Sequence, residues 1–127
     1  NEPSSIADAY ATIKVMIQDY SLDNIFVIPN SVLSQNEGRH LYRSINSVIK
    51  NFLGGEVNYL HSISEDEMLL RAIKASQPIL SFAPASPAAR DFSAVADIVE
   101  ALPKHESISG GLQFFVERMA AHQTDKA

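Results

Sequence analysis

The stretch NIFVI at residues 24–28 is rich in β-branched and aromatic side chains. A continuous apolar run of this kind is typical of a strand that is buried on both faces of a parallel sheet. A second, weaker strand candidate, EVNYL at residues 56–60, follows the Gly54–Gly55 pair. A helical pattern separates the two runs, which predicts a parallel strand–helix–strand unit with a right-handed crossover. The fold class is therefore expected to be α/β.

Serine and acidic residues mark the expected helix starts around these strands. Three segments place a serine three residues before an acid, namely Ser5–Asp8, Ser34–Glu37 and Ser64–Glu67, which is the capping-box pattern. Ser86 followed by Pro87 predicts a fourth helix start. Side chains at helical spacing are expected to face the core: Ile6, Ala9, Tyr10, Ile13, Met16 and Ile17 in the first helix, Leu41, Ile45, Val48, Ile49 and Phe52 in the second, and Phe92, Val95, Ala96 and Val99 in the fourth.

Glycine and proline mark the expected ends. Gly54 is expected to end the second helix, and the third is expected to run from about residue 65 to residue 75, before Pro78. The stretch PILSF at residues 78–82 is interpreted as an extended connection, because Pro78 and the short spacing disfavour a third strand.

Composition limits the classes of function. The 127 residues suit one domain, and the formal net charge of −5 argues against direct binding of nucleic acid. The chain has no cysteine, which suits the cytoplasm, and its four histidines show no metal-ligand spacing. No catalytic constellation stands out from the residues alone.

The predicted sheet is too small to be complete. The chain opens on a helix with no strand before it, and two parallel strands are too few for a stable open sheet. NIFVI would need a neighbour on each side. We therefore expect residues 1–103 to be the second half of a doubly wound, Rossmann-like domain, with the first half upstream.

Four motifs carry a resemblance to a known family: NEPSSIADAYATIK (1–14), EGRHLYRSINSVIKNFLGGEVNYL (37–60), DEMLLRAIKASQPIL (66–80) and GGLQFFVERM (110–119). They resemble the C-terminal half of the MinD-like ATPases that control flagellar number, the FlhG/FleN family. The resemblance implies a MinD/ParA-type P-loop ATPase that dimerises around ATP and Mg²⁺. It also implies a flagellar transcriptional activator and a signal-recognition-type GTPase as partners, and a cytoplasmic location with peripheral contact at the inner membrane or cell pole.

The resemblance also implies roles for particular residues. Asn30 matches the asparagine that reads adenine, and Asp66 matches an aspartate that borders it, although Pro29 and Ser64 depart from the family pattern. Glu2 borders the nucleotide, and Ser5 and Asp8 lie at the dimer and regulator edge. From the residues alone, Asn30 is better explained as a turn residue, and Asp66 could equally be a favourable charge in a helix first turn.

The glycine-lysine phosphate loop of the family is absent from this sequence. Since that loop cradles the phosphates, the chain alone is expected not to hydrolyse ATP. The alternative is a truncated, non-enzymatic module that binds flagellar regulators. A receiver domain would fit the chain length, but the acidic cluster after a first strand is missing.

The C-terminal segment forms an apolar stripe if it is helical. Residues 104–111 are interpreted as a linker and residues 112–122 as an amphipathic helix, with Leu112, Phe115, Val116 and Met119 on one face. Such a stripe must pack on this chain's core, on a protein groove or on lipid.

Overall fold

The computed structural model describes residues 2–103, with side chains from residue 4 onward. Its elements in chain order are α1 (Glu2–Gln18), β1 (Phe26–Val27), α2 (Gln35–Leu53), β2 (Asn58–Tyr59), α3 (Glu67–Lys74), α4 (Ile79–Phe82) and α5 (Pro87–Ala101). The proposed linker at 104–111 and the proposed C-terminal helix at 112–122 lie outside the described residues. None of the helices within 2–103 has the length and apolarity that a bilayer crossing requires.

The two strands form a parallel pair, as the sequence predicts. Phe26 lies opposite Asn58, and Val27 lies opposite Tyr59. Both strands are shorter than the stretches that predicted them. Parallel contact resumes further along at an isolated bridge between Val32 and Ser64, so the two segments stay adjacent beyond the regular strands. The α/β class and the strand–helix–strand unit are thus confirmed.

The expectation that NIFVI is buried on both faces is wrong for the described residues. Ile25 is buried, Phe26 and Val27 are half-buried, and Ile28 is 43% exposed. The reason is that β1 pairs only with β2 among residues 2–103, so its other edge has no neighbouring strand there. An interior-type strand lies at an open edge of this sheet.

The start and end of α2 follow the sequence signals. Ser34 Oγ accepts a hydrogen bond from the backbone N–H of Glu37 at 3.1 Å. The Glu37 carboxylate returns to the backbone N–H of Leu33, one residue earlier than a standard capping box requires. Gly54 ends the helix with φ 67°, a left-handed conformation that glycine adopts without strain.

The other two predicted capping boxes are wrong. Helix α1 begins at Glu2, so Ser5 and Asp8 lie inside the helix rather than at its start. Helix α3 begins at Glu67, and its N-cap is Asp66, whose side chain accepts from the Met68 N–H. Serine and aspartate are both favoured as N-caps, so the sequence pattern alone does not choose between Ser64 and Asp66. Ser86 does cap α5, as predicted.

Residues 78–82 form a helical turn, not the extended connection that the sequence suggested. Pro78 is the N-cap of α4, and its carbonyl accepts the Phe82 N–H at 2.9 Å. The turn buries Ile79, which is 7% exposed, in the cluster formed with α3 and α5. Pro78 itself keeps an extended backbone (φ −61°, ψ 142°) and the helical turn begins after it, so the restriction that proline places on its own φ and on the preceding residue does not oppose the turn.

Most of the buried apolar side chains of residues 2–103 form two clusters. The first joins α1, α2 and the strands, and the second joins α3, α4 and α5. The buried residues of the first are Ile13, Ile25, Ile45, Ile49 and Val57; those of the second are Ile63, Ala72, Ile79, Ala88 and Ala89.

Several side chains expected in the core are exposed instead. Phe52 is 74% exposed, Val99 49% and Phe92 39%, and Ala9 and Ala96 are exposed as well. Helix α5 packs on the second cluster through Ala88, Ala89 and Val95, and Phe92 between them lies outside it. Phe52 likewise lies outside the first cluster, although the next residue, Leu53, packs against it. Helical spacing gives the candidate core positions of a helix but not which of them the neighbouring elements cover.

Candidate functional site

Two loops meet at the carboxyl edge of the sheet, where α/β folds bind ligands. One is the Asn30–Ser31 turn that follows β1, and the other is the Ser64–Asp66 segment that follows β2. Backbone hydrogen bonds join them: the Val32 N–H donates to the Ile63 carbonyl at 3.0 Å, and the Glu65 N–H donates to the Val32 carbonyl at 2.8 Å. The structure thus brings the segments of Asn30 and Asp66 side by side.

Asn30 is exposed at the tip of the first loop. Its side-chain carbonyl accepts the N–H of Ser31 at 3.0 Å, and Ser31 has a left-handed φ of 56°. The NH₂ group of Asn30 has no hydrogen-bond partner among residues 2–103. Asn30 is therefore a turn residue that still has two donors available.

A depression of about 410 Å³ lies on one side of this turn. Its walls come from the end of β1, the first turns of α1 and the first half of α2, and they are mostly apolar. Asn30 and Ser5 both line it, whereas Asp8 does not. The side chain of Glu2 lies outside the described residues. The lining residues are Ser5, Ile6, Ala9, Val27, Ile28, Pro29, Asn30, Ser31, Glu37, Leu41, Tyr42 and Ile45.

A second depression, of about 320 Å³, lies on the other side of the turn. Ser31 lines both depressions, and Asp66 lines this one together with Ser64, Glu65, Glu67, Leu69 and Leu70. None of the lysines and arginines that the structure describes lines either depression. The described part of the edge therefore offers apolar walls and hydrogen-bonding groups but no cation for a phosphate.

The Asp66 carboxylate joins the N-termini of two helices. Its Oδ1 accepts the Met68 N–H of α3 at 2.9 Å, and its Oδ2 accepts the Ala88 N–H of α5 at 3.0 Å. The hydrogen bond from the Ala88 N–H is the main cause that lowers the pKa of Asp66. Hydrogen bonds from Met68 and Ser86 lower it further, and they outweigh partial burial, which raises it. Capping is thus an observed role of Asp66, and contact with adenine stays a prediction.

Asp91 in α5 makes the contact in the opposite direction, from α5 to the segment after β2. The sequence analysis did not single out this residue. Its Oδ2 accepts the Ser64 N–H at 2.9 Å, and its Oδ1 lies 3.0 Å from His61 Nε2. Burial raises the pKa of Asp91, but hydrogen bonds from Ser64 and His61 outweigh that effect and the net pKa is lowered. Asp66 and Asp91 together fasten the segment after β2 to the first turns of α5.

A polar chain continues from Asp91 toward α2. Gln35 Nε2 donates to the Ser62 carbonyl at 3.1 Å, and the Tyr59 hydroxyl lies 3.2 Å from Gln35 Oε1 and 2.8 Å from Ser62 Oγ. Ser62 is fully buried. No spacing rule in the sequence links residues 35, 59, 62 and 91, so only the fold reveals this network. Within residues 2–103 no group of three or more metal-binding side chains is found.

The sequence of this chain is similar to those of two flagellar proteins. No protein-family model matches the chain. Antiactivator FleN of Pseudomonas aeruginosa is 35% identical over 122 residues, which covers 96% of this chain and 44% of that protein. Flagellum site-determining protein YlxH of Helicobacter pylori is 36% identical over 84 residues, covering 65% of this chain and 28% of that protein. The chain spans less than half of the length of either relative.

The FleN match includes nearly all of the residues that line the edge. It therefore supports the resemblance noted from the motifs, and the small parallel sheet agrees with it. The chain is homologous to flagellar regulators of the FlhG/FleN family.

Proposed function

We propose that this chain forms the base side of an ATP site in a MinD-like regulator of flagellar number, together with part of its dimer and regulator surface. The observation that carries the proposal is the adjacency of the Asn30–Ser31 turn and the Ser64–Asp66 segment at one sheet edge. By resemblance to the FlhG/FleN family, both segments would lie beside adenine. Ser5 and Asp8 on α1 would contribute to the dimer and regulator surface.

The residues at the edge fit the base of a nucleotide and not its phosphates. The first depression has a volume typical of small-molecule sites, and the Asn30 NH₂ can donate to the ring nitrogens of a purine. Among residues 2–103, no lysine or arginine lines either depression. Phosphates and Mg²⁺ would therefore be held by another part of the protein.

Replacing Asn30 with alanine in the full-length protein is expected to weaken ATP binding about fivefold to tenfold, because one hydrogen bond to the base is lost. Titration with a fluorescent ATP analogue measures this. Asn36→Ala, at another exposed asparagine, is the matched control and should bind as the unmodified protein does. Equal affinity of Asn30→Ala and the control would contradict the assignment.

We further propose that the segment 112–122 docks on anionic lipid through its apolar stripe. Phe115→Glu is then expected to abolish sedimentation with anionic vesicles, since a carboxylate would enter the apolar face. Gln113→Glu adds the same charge off the stripe and should sediment normally. If Phe115→Glu sediments like the unmodified protein, the stripe is not the lipid contact.

The rival function, a non-enzymatic module that binds regulators, predicts different behaviour. Such a module would show the same partner binding with and without ATP, and Asn30→Ala would leave that binding unchanged. A regulator whose binding depends on ATP, and is weakened by Asn30→Ala, supports the nucleotide site.

A further inference from the structure

The outward face of α2 is positively charged in a chain that is acidic overall. Helix α2 carries Arg39, Arg43 and Lys50 against a single acid, Glu37, whereas the whole chain has a formal net charge of −5. Glu37 is engaged at the helix start with the Leu33 N–H. The face opposite the buried Ile45 and Ile49 is exposed throughout and contains no acid: Asn36, Arg39, His40, Arg43, Ser47, Lys50 and Asn51.

Arg39 is stacked on the ring of Tyr59. Its guanidinium carbon lies 4.8 Å from the ring centroid of Tyr59, and the Tyr59 hydroxyl is fixed by Gln35 and Ser62. Stacking uses the flat face of the guanidinium and leaves the N–H donors at its rim available. The side chain therefore loses little additional freedom when it binds an anion.

Arg43 lies one helical turn from Arg39 and meets no carboxylate within residues 2–103. Lys50 has only a 3.6 Å contact with Glu56, and both side chains are more than half exposed, so solvent and salt weaken it. From Arg39 to Lys50 the stripe extends about 16 Å along the helix. It forms a short row of cations with hydrogen-bonding residues between them.

From this surface we infer that the outward face of α2 docks a carboxylate-rich segment of a partner protein. Guanidinium forks pair with carboxylates through two parallel hydrogen bonds. The face lacks the large apolar residues that a membrane-surface helix inserts. Three cations on a chain of net charge −5 are few for nucleic acid, whose binding rests on many phosphate contacts. An acidic polypeptide is the occupant that the charge and the polarity both favour.

Fluorescence anisotropy with a labelled poly-L-glutamate peptide of about 20 residues tests this at two salt concentrations. The protein is expected to bind the peptide, and Arg43→Glu/Lys50→Glu is expected to weaken binding at least tenfold. The matched control, Lys14→Glu/Lys74→Glu, changes the net charge equally at exposed sites on α1 and α3, and should change affinity less than twofold. Arg39→Lys keeps the positive charge but removes the guanidinium, which can form two parallel hydrogen bonds with a carboxylate. This variant should weaken binding severalfold.

Three outcomes would overturn the inference. The peptide could fail to bind, or the two charge-reversal pairs could weaken binding equally, which would reveal a net-charge effect. A 20-base-pair DNA or anionic vesicles bound more tightly than the peptide, with the same dependence on Arg43 and Lys50, would assign the surface to another class of partner. None of these outcomes depends on nucleotide binding at the sheet edge.

Discussion

Gly38→Ala is expected to destabilise the protein by at least about 2 kcal/mol, because overpacking a close contact is costly. A Cβ on Gly38 would lie 1.9 Å from Oγ and 2.6 Å from Cβ of Ser62, where carbon contacts normally need about 3.5 Å. Ser62 is fully buried, and its hydroxyl lies 2.8 Å from that of Tyr59, so it has no room to move away. The urea midpoint of unfolding measures the loss.

Whether Gly38→Ala lowers or raises the stability of the protein distinguishes overpacking from helix propensity. Glycine to alanine inside a helix normally stabilises by about 0.5–1 kcal/mol, so propensity alone predicts the opposite result. Ser62→Gly removes both clashing atoms, and Gly38→Ala/Ser62→Gly should therefore be more stable than Gly38→Ala. Ser62→Gly alone completes the double-mutant cycle. A Gly38→Ala protein as stable as the unmodified one would contradict the close packing of α2 against Ser62.

Asp66→Ala is expected to cost about 2–3 kcal/mol of stability at neutral pH, since two helix N-termini lose a charged cap. The oxygens of Asp66 accept from Met68 in α3 and Ala88 in α5. Asp66→Asn keeps one accepting oxygen and should lose about half as much. The free energies of unfolding of the unmodified protein, Asp66→Ala and Asp66→Asn, measured with denaturant, test this order.

The stability lost in Asp66→Ala should become smaller as the pH falls. The folded-state pKa of Asp66 is lowered from its ordinary value of 3.8, with the Ala88 N–H as the first cause. Stabilisation by the carboxylate is therefore complete above about pH 4 and disappears as the pH falls through the folded pKa. The gap between Asp66→Ala and the unmodified protein should narrow in acid. Glu67→Gln, next to it and exposed, should cost little at any pH, and a gap that stays constant below pH 4 would refute the charged cap.

Local signals predicted the local structure well where one interaction decides the outcome. Ser34 and Gly54 marked the ends of α2, and Ser86 and Pro87 marked the start of α5. The same signals failed for α3 and α1. Asp66, not Ser64, caps α3, since a hydroxyl and a carboxylate two positions apart are both favoured as caps and spacing alone does not choose between them. Helix α1 begins before Ser5.

The candidate site was predicted in part. The sequence places Asn30 just past the first strand and Asp66 in the first turn of the third helix, and the structure brings these two segments together. The contacts of Asp91 were not foreseen, because its partners Ser64 and His61 lie about 30 positions earlier in the chain. The Gly38–Ser62 contact and the stacking of Arg39 on Tyr59 were likewise not anticipated.

By itself the sequence determined the α/β class, the parallel pairing of residues 24–28 with 56–60, and most of the helices. These follow from periodicity and capping, which act between residues a few positions apart. Tertiary structure alone decided which positions of each helix are covered, that β1 lies at an open edge among the described residues, and that Asp66 and Asp91 fasten the same two segments together. Those features depend on side chains that are distant in the chain and meet only after the layers pack, so no local pattern encodes them.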